Sequence, residues 1–218
     1  EGDITYLYLP NDKNIDIKDF ELQTTKHVKK FNKGVFSEIV DKEGGYIYKG
    51  DFSKFNSESS YCLMTFDDGT CIKLVVTKSI LPSVSVKLNN TTLADITSGS
   101  KDTKYAGNTV SITDQNGTLN AQGIDNVQIK GRGNSTWRLD KKPYQIKFDS
   151  KTSVLGMKKA KKWVLLANYL DGSLLRNKIS YDLAVDAGIE GNISSEFADL
   201  WIDGEYQGNY LICQKVDS

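Results

Sequence analysis

The chain has 218 residues with 28 basic and 28 acidic side chains, so its formal net charge is zero. This balance excludes a uniformly basic nucleic-acid coat protein and an acidic disordered chain. The longest uncharged apolar stretch, WVLLANYL, is far shorter than the roughly 18 residues that a membrane span needs, so no membrane span is predicted. A single histidine, His27, excludes a multi-histidine metal site and argues against a Ser-His-Asp triad. Composition therefore predicts a soluble, β-rich globular protein.

Residues 1–80 contain short alternating apolar runs separated by turn signals, which predict a small immunoglobulin-like β-sandwich. Asp68-Gly69 predicts a two-residue hairpin turn between the strands that carry Cys62 and Cys71. In that register the two cysteines lie roughly 13 Å apart along the ladder. A disulfide needs Cα atoms within about 7 Å, so we expect both residues to be reduced and to serve in packing.

Pro82 interrupts the preceding strand, and a new strand begins at Val84, so the predicted domain boundary separates 1–80 from 81–218. In the second part a strand runs into the glycine-rich loop KGRGNSTW, and the alternating segment KKPYQIKFD follows it as another strand. The C-terminal segment FADLWIDGEYQGNYLICQKV predicts a hairpin.

One main helix is predicted at 171–187, with Asp171 or Ser173 at its N-terminus and Gly188 after its last turn. Its apolar residues recur at helical spacing and predict a face that packs on the sheet. The expected fold class is therefore α+β: a β-sandwich, then an antiparallel sheet with one main helix.

Two acids of this helix, Asp182 and Asp186, fall within its apolar face. A buried acid needs a partner, and the strand residue Lys147 is a candidate. The alternative is that this face is only half buried and that both acids reach solvent.

Residues 130–162 contain eleven basic and two acidic side chains, which gives this stretch a local charge of +9. The glycines of the loop would let the backbone approach a ligand closely, and Arg132 can pair bidentately with phosphate oxygens. This pattern favours a phosphate or polyphosphate ligand. The alternative interpretation is a solvated basic face. The acidic remainder of the chain argues against nucleic acid as the ligand.

Four segments together resemble the CotH kinase family: IKGRGNSTW, KKPYQIKFD, VLGMKKAKKWVLLANYLDGSLLRNKISYDLA and FADLWIDGEYQGNYLICQKV. The resemblance covers about residues 81–218. It implies a kinase-like N-lobe in a bacterial protein that is secreted, exposed at the cell surface or built into the spore coat. The activity it implies is transfer of the γ-phosphate of ATP to protein serine with Mg or Mn.

Carried over to this sequence, the resemblance implies nucleotide-binding roles for residues of the loop, the following strand, the helix and the last strand. These residues are Arg132, Asn134, Ser135, Lys142, Lys147, Arg176, Gln214 and Lys215, with Asn177 beside Arg176. The catalytic base and metal-binding aspartates of such kinases are expected beyond Ser218. We therefore expect the chain to be an inactive, nucleotide-side fragment without the C-lobe, and we assign it no catalytic or metal-binding residue.

A rival hypothesis is a non-catalytic cell-surface or cellulosome-associated module that mediates adhesion or glycan binding. Tyr46, Tyr48 and Tyr61 could then form an aromatic platform for a sugar, although strand tyrosines more commonly pack on their sheet neighbours. Other surface or cellulosomal proteins are the partners implied by this hypothesis.

Overall fold

The computed structural model describes residues 3–40 and 44–215 of the chain. The chain divides into two compact units. The first comprises Glu1–Leu9 and Lys13–Ser79, and the second comprises Pro10–Asp12 and Ile80–Ser218.

The first unit is built from two sheets. Its strands are β1 (Ile4–Leu9), β2 (Phe20–Thr24), β3 (Val28–Phe31), β4 (Phe36–Val40), β5 (Tyr46–Gly50), β6 (Cys62–Phe66) and β7 (Cys71–Lys78). One sheet has the order β1-β7-β6-β3, with β1 parallel to β7, and the other has the order β2-β5-β4. Side chains from both sheets form one core, which includes Tyr48, Met64 and Leu74.

The β6–β7 hairpin differs from its predicted register by one residue. Asp67, Asp68 and Gly69 form a three-residue loop in which the N–H of Phe66 donates to the Thr70 carbonyl at 2.9 Å. Cys62 therefore lies opposite Leu74, and Thr65 lies opposite Cys71. Asp67 belongs to the loop rather than to the strand, which the Asp-Gly signal alone did not indicate. Cys62, Cys71 and Cys213 are all free thiols.

The second unit is dominated by strands that close into a barrel. Its elements are β8 (Ser83–Lys87), α1 (Leu93–Ser98), β9 (Tyr105–Thr113), β10 (Leu119–Gly131), β11 (Tyr144–Thr152), β12 (Ala160–Leu166), α2 (Arg176–Asp186), β13 (Ser195–Ile202) and β14 (Glu205–Gln214). Within the described residues the order β10-β11-β12-β14-β13-β8-β9 forms a closed seven-stranded barrel.

The predicted α+β class, with a kinase-like N-lobe made of an antiparallel sheet and one main helix, is wrong, because the protein is mostly β. The barrel closes because β8 pairs with β13 in parallel and with β9 in antiparallel orientation. The pairing of strands more than 100 residues apart cannot be read from alternation, which indicates only that each strand exists. β10 runs continuously over 13 residues, with register shifts along β9.

The barrel interior explains the alternation of apolar residues along its strands. Ile146, Trp163, Leu200 and Ile112 come from four different strands and are all fully buried in one cluster. Alternate residues of each strand point outward. The outer side chains of β10, β11 and β12 include the exposed Lys147.

Helix α2 begins at Arg176 and ends at Asp186, which is shorter than the predicted 171–187. Leu174 has a φ of +61°, which is incompatible with a continuous helix from Asp171. Gly188 follows the last turn with a φ of +65°, in agreement with its predicted place after the helix.

The predicted buried face of α2 is not found. Leu175, Ile179 and Leu183 are 44%, 52% and 62% exposed. Asp182 accepts a hydrogen bond from Lys178 Nζ at 2.8 Å, one turn earlier on the same helix, so its partner is not Lys147. The alternative interpretation, in which these acids lie on a solvent-accessible face, agrees with the structure.

The short helix α1 was missed by the sequence analysis. Thr92 and Asp95 form a reciprocal capping box: the Asp95 N–H donates to Thr92 Oγ1 at 3.1 Å, and the Thr92 N–H donates to the Asp95 carboxylate at 2.9 Å. The Thr-x-x-Asp spacing before apolar residues is a signal that could have predicted this helix.

Candidate anion-binding site

The glycine-rich loop between β10 and β11 is held by contacts within itself. Its base is closed by the Arg132 N–H, which donates to the Pro143 carbonyl at 3.1 Å. Gly133 has a φ of +83°, and a Cβ at this position would lie 2.0 Å from Thr136 Oγ1. Any other residue at position 133 would therefore strain the backbone and force Thr136 to move, whether or not a ligand is present.

A cavity of about 410 Å³ lies between this loop, the end of β12 and the start of α2. Three cationic side chains line it: Arg132 and Lys141 from the connection between β10 and β11, and Arg176 from the start of α2. The other lining residues are Thr136, Pro143, Leu166, Ala167, Asn168, Tyr169, Leu170, Asp171, Asn177 and Tyr181. Among the described lining residues Asp171 is the only acid.

The carboxylate of Asp171 accepts hydrogen bonds from groups at the start of α2. Its Oδ2 accepts the Arg176 N–H at 2.8 Å, and its Oδ1 accepts the Ser173 hydroxyl at 2.7 Å. These hydrogen bonds, with that from the Arg176 backbone first, lower the pKa of Asp171. The Arg176 Nε lies 3.6 Å from Asp171 Oδ1, yet its side chain is 81% exposed. The guanidinium, which has five N–H donors, can therefore reach a ligand at the mouth of the cavity.

Two asparagines fix the segment that precedes α2. Asn168 has a φ of +50°, and its Nδ2 donates to the Leu174 carbonyl at 3.1 Å. Asn177, from the first turn of α2, donates through its Nδ2 to Asn168 Oδ1 at 2.8 Å. These bonds connect the end of β12 to the helix and give the cavity a defined wall.

Tyr181 and Cys213 lie near Arg132. Burial raises the pKa of the Tyr181 hydroxyl, and it raises the pKa of the Cys213 thiol to about 11. Arg132 opposes both shifts because its positive charge favours the anionic forms. The cysteine thus remains a protonated, unreactive thiol at neutral pH.

Lys141 is half-buried and lies against β14. Its Nζ donates to the Asn209 carbonyl and lies 4.6 Å from the centroid of the Tyr210 ring. Burial lowers the pKa of this lysine, and the negative charge of Asp199 opposes that shift.

The structure brings together some of the residues predicted to bind the nucleotide and separates others. Arg132, Arg176 and Asn177 line the cavity. Asn134 and Ser135 line a different hollow together with Lys101, Trp137 and Arg138.

Lys142 and Lys147, which were also predicted to bind the nucleotide, lie outside the cavity. The Nζ of Lys142 donates to the carbonyls of Trp137 and Leu139 at 3.0 and 3.2 Å, within the loop. Lys147 lies exposed on β11, opposite Gln128 and Lys162 on the neighbouring strands.

At the end of β14, Gln214 Nε2 donates to the Lys158 carbonyl, and the Lys215 N–H donates to the Lys162 carbonyl at 3.0 Å. Lys142, Lys147, Gln214 and Lys215 are not among the residues that line the cavity.

Sequence reasoning selected only Arg132, Arg176 and Asn177 among the lining residues, and those it missed include Lys141, Asn168 and Tyr181. The dipeptide Lys141-Lys142 gave no basis for choosing the first lysine over the second. Tyr181 lies in α2, and the apolar residues of this helix do not face the core. Their spacing therefore could not indicate which side of the helix faces the cavity.

The tyrosines proposed as a sugar platform do not share an exposed surface. Tyr48 is 2% exposed, and its hydroxyl oxygen accepts the Val28 N–H at 2.7 Å in the core of the first unit. Tyr61 lies beneath the Lys73 ammonium, 5.5 Å from its ring centroid. Tyr48 is therefore a packing residue.

Residues 129–218 match the family described as CotH kinase protein. The resemblance inferred from the sequence is confirmed over this segment. The matched segment contains every residue that lines the cavity, from Arg132 to Tyr181. No curated protein matches the chain.

Residues 3–40 and 44–215 lack two further features. No helix in these residues is long and apolar enough to cross a membrane. They also contain no group of three or more His, Cys, Asp or Glu side chains that could hold a metal ion, so no metal ligand is assigned.

Proposed function

We propose that the second unit binds the phosphates of ATP in this cavity, as the nucleotide-side part of a CotH-type kinase that phosphorylates protein serine. The match to the CotH kinase family relates residues 129–218 to kinases. The observation that carries the finer proposal is the convergence of Arg132, Lys141 and Arg176 on one cavity inside that segment.

The size and charge of the cavity fit this ligand. Small-molecule sites typically have volumes of about 300–1,000 Å³, and the volume here lies in that range. Arg132 and Arg176 can each form paired hydrogen bonds with phosphate oxygens. Hydrogen bonds to charged groups contribute roughly 1.5–3 kcal/mol each, which corresponds to about 10–100-fold in affinity.

In this proposal the residues of the cavity bind and orient the nucleotide. Asp171 accepts hydrogen bonds from Ser173 and Arg176, so it serves the start of α2 and is not a general base. Asp171 is the only acid among the described residues that line the cavity, so we propose that this chain alone transfers no phosphate. Mg²⁺ or Mn²⁺ would neutralise charge on the phosphates during transfer, and we assign no residue of this chain to it.

The setting of the activity is also part of the proposal. Resemblance to secreted and spore-coat kinases supports a bacterial protein that acts outside the cytoplasm, at the cell surface or in the spore coat. Its protein partners would be other surface proteins.

Calorimetric titration with ATP tests the proposed function on the full chain. Arg132→Gln removes one guanidinium from the cavity and is expected to weaken ATP binding by roughly tenfold or more. Lys161→Gln removes an exposed charge of the same basic stretch, outside the cavity, and is the matched control. Equal, small effects of both changes, or no ATP binding by the unaltered chain, would contradict the proposal.

A further inference from the structure

We propose that Lys141, rather than Lys142 or Lys147, is the lysine that contacts the bound phosphate, from a recess created by Gly208 on β14. This inference rests on the proposed function, because it assigns a ligand-contacting residue within the same cavity. None of the motifs that suggested nucleotide binding singled out Lys141.

The recess is the space beside Gly208, a glycine that lies next to a bulge in β14. Leu200 of β13 lies opposite Gly208, whereas the next residue, Trp201, lies opposite Tyr206, so Gln207 is an extra residue in β14. Gly208 has a φ of +102°, and a Cβ there would lie 3.2 Å from Cε and 3.4 Å from Nζ of Lys141. A Cβ at position 208 would therefore press on the end of the Lys141 side chain and force it to shift by a few tenths of an ångström.

The ammonium group of Lys141 is held by strand atoms around this recess. One N–H donates to the Asn209 carbonyl, and the ring of Tyr210 lies beneath the charge at 4.6 Å. An ammonium has three donors, so the contact with Asn209 leaves donors for an anion.

A buried carboxylate helps keep this lysine charged. Asp199 on β13 is 2% exposed, and it accepts hydrogen bonds from the Tyr206 hydroxyl at 3.2 Å and from Asn209 Nδ2 at 3.3 Å. Its negative charge raises the pKa of Lys141 against the larger effect of burial. A partly desolvated cation gains more from a phosphate than an exposed one, because water screens the attraction less.

The two other candidate lysines do not line the cavity. The Nζ of Lys142 donates to the carbonyls of Trp137 and Leu139, which belong to the same loop. Lys147 is exposed on the outer surface of the barrel and does not line the cavity. Each contributes to the basic stretch, but neither is positioned at the site.

Titration calorimetry of the full chain with inorganic tripolyphosphate and with ATP tests the assignment. Lys141→Met is expected to weaken the binding of both probes by roughly 10–100-fold. Lys161→Met, an equal loss of charge outside the cavity, is expected to change binding less than twofold. A loss of affinity confined to Lys147→Met or Lys142→Met would overturn the assignment.

The two probes separate this inference from the proposed function. Lys141-dependent binding of tripolyphosphate without binding of ATP would refute the nucleotide proposal and retain Lys141 as an anion-binding residue. Binding of ATP that is unaffected by Lys141→Met would refute the inference and retain the proposed function. Failure of the unaltered chain to bind either probe would overturn both.

Amine labelling of the unaltered chain gives a second test that does not depend on the folding of a variant. Brief acylation followed by mass spectrometry reports the reactivity of each lysine. Tripolyphosphate is expected to protect Lys141 and to leave the labelling of Lys147 and Lys161 unchanged. Protection of Lys147 without protection of Lys141 would overturn the assignment.

Discussion

The carboxylate of Asp171 accepts the backbone N–H of Arg176 at 2.8 Å, across the first turn of the segment that leads into α2. This hydrogen bond satisfies a donor that the start of a helix would otherwise leave without an intrahelical partner. The same contact places the negative charge beside the guanidinium of Arg176, whose Nε lies 3.6 Å away. The start of the helix and the position of a proposed ligand residue thus depend on one side chain.

Asp171→Ala is therefore expected to lower the free energy of unfolding of the second unit by roughly 0.5–2 kcal/mol, as loss of a helix-capping acceptor does. All three tryptophans, Trp137, Trp163 and Trp201, belong to this unit, so urea unfolding followed by tryptophan fluorescence reports on it. Asp186→Ala, at the exposed end of the same helix, is the control and is expected to have little effect. Equal destabilisation by both changes would contradict a capping role for Asp171.

Gly133→Ala is expected to destabilise the second unit more than Gly156→Ala does. Both glycines have a positive φ, of +83° and +76°, so either change introduces backbone strain of about 1–2 kcal/mol. Only at Gly133 would the new Cβ also collide with Thr136, whereas no atom lies within 4 Å of the corresponding position at Gly156. Thermal unfolding of the two variants measures the difference. Indistinguishable transitions would mean that the loop relaxes away from Thr136 at no cost.

Part of the candidate site could be predicted from the sequence because its chemistry is local. Arg132 was selected because it follows a strand and lies between two glycines, whereas Arg176 was implied by the resemblance to the CotH kinase family, and both line the cavity. Lys141 could not be selected, because its surroundings are set by Gly208 and Asn209, more than 60 residues later in the chain. Nothing in the KKPY segment itself distinguishes Lys141 from Lys142.

The same limit applies to the fold. Alternation predicted most strands of the second unit, since it depends only on which residues of a strand face the core. Closure of the barrel depends on the parallel pairing of Val84 with Leu200, which no local pattern encodes. The prediction of a buried helix face is wrong for a related reason, because helical spacing shows only which residues share a face and not what that face packs against. Leu175 and Ile179 have helical spacing, but they are 44% and 52% exposed.

The three cysteines are expected to differ sharply in reactivity in the folded protein. Burial raises the pKa of Cys62 and of Cys213 to about 11, so only on the order of 0.1% of either thiol is ionised at pH 8. Cys71 is only partly buried and should be alkylated first. Iodoacetamide labelling with peptide mass spectrometry, before and after denaturation, tests this order. A disulfide between Cys62 and Cys71, or early alkylation of Cys213, would contradict it.

In the first unit, His27 connects two carboxylates on different segments. Its Nδ1 lies 2.8 Å from Asp67 in the β6–β7 loop, and its Nε2 lies 3.2 Å from Glu38 on β4. The hydrogen bond to Asp67, followed by the charges of both acids, raises the pKa of His27 above its ordinary value of 6.5. The neighbouring charges of Lys26 and Asp68 pair with each other at 2.7 Å.

A raised pKa in the folded state fixes the sign of the pH dependence. The protonated histidine stabilises the fold fully below pH 6.5, and this contribution is lost as the pH rises through the higher pKa of the folded protein. His27→Gln should therefore increase amide hydrogen exchange in β4 and in the β6–β7 loop at pH 5.5, relative to the unaltered chain. At pH 9 the two proteins should exchange alike.

Added salt should reduce the difference at pH 5.5, because these charges are accessible to solvent and their interactions are screened. Glu38→Gln keeps the histidine and removes one of its two acidic partners, so it should show a smaller difference of the same sign. A gap between His27→Gln and the unaltered chain that persists undiminished at pH 9 would show that the imidazole acts through packing against Tyr46, whose ring centroid lies 5.2 Å away. Its positive charge would then have no part in joining β4 to the β6–β7 loop.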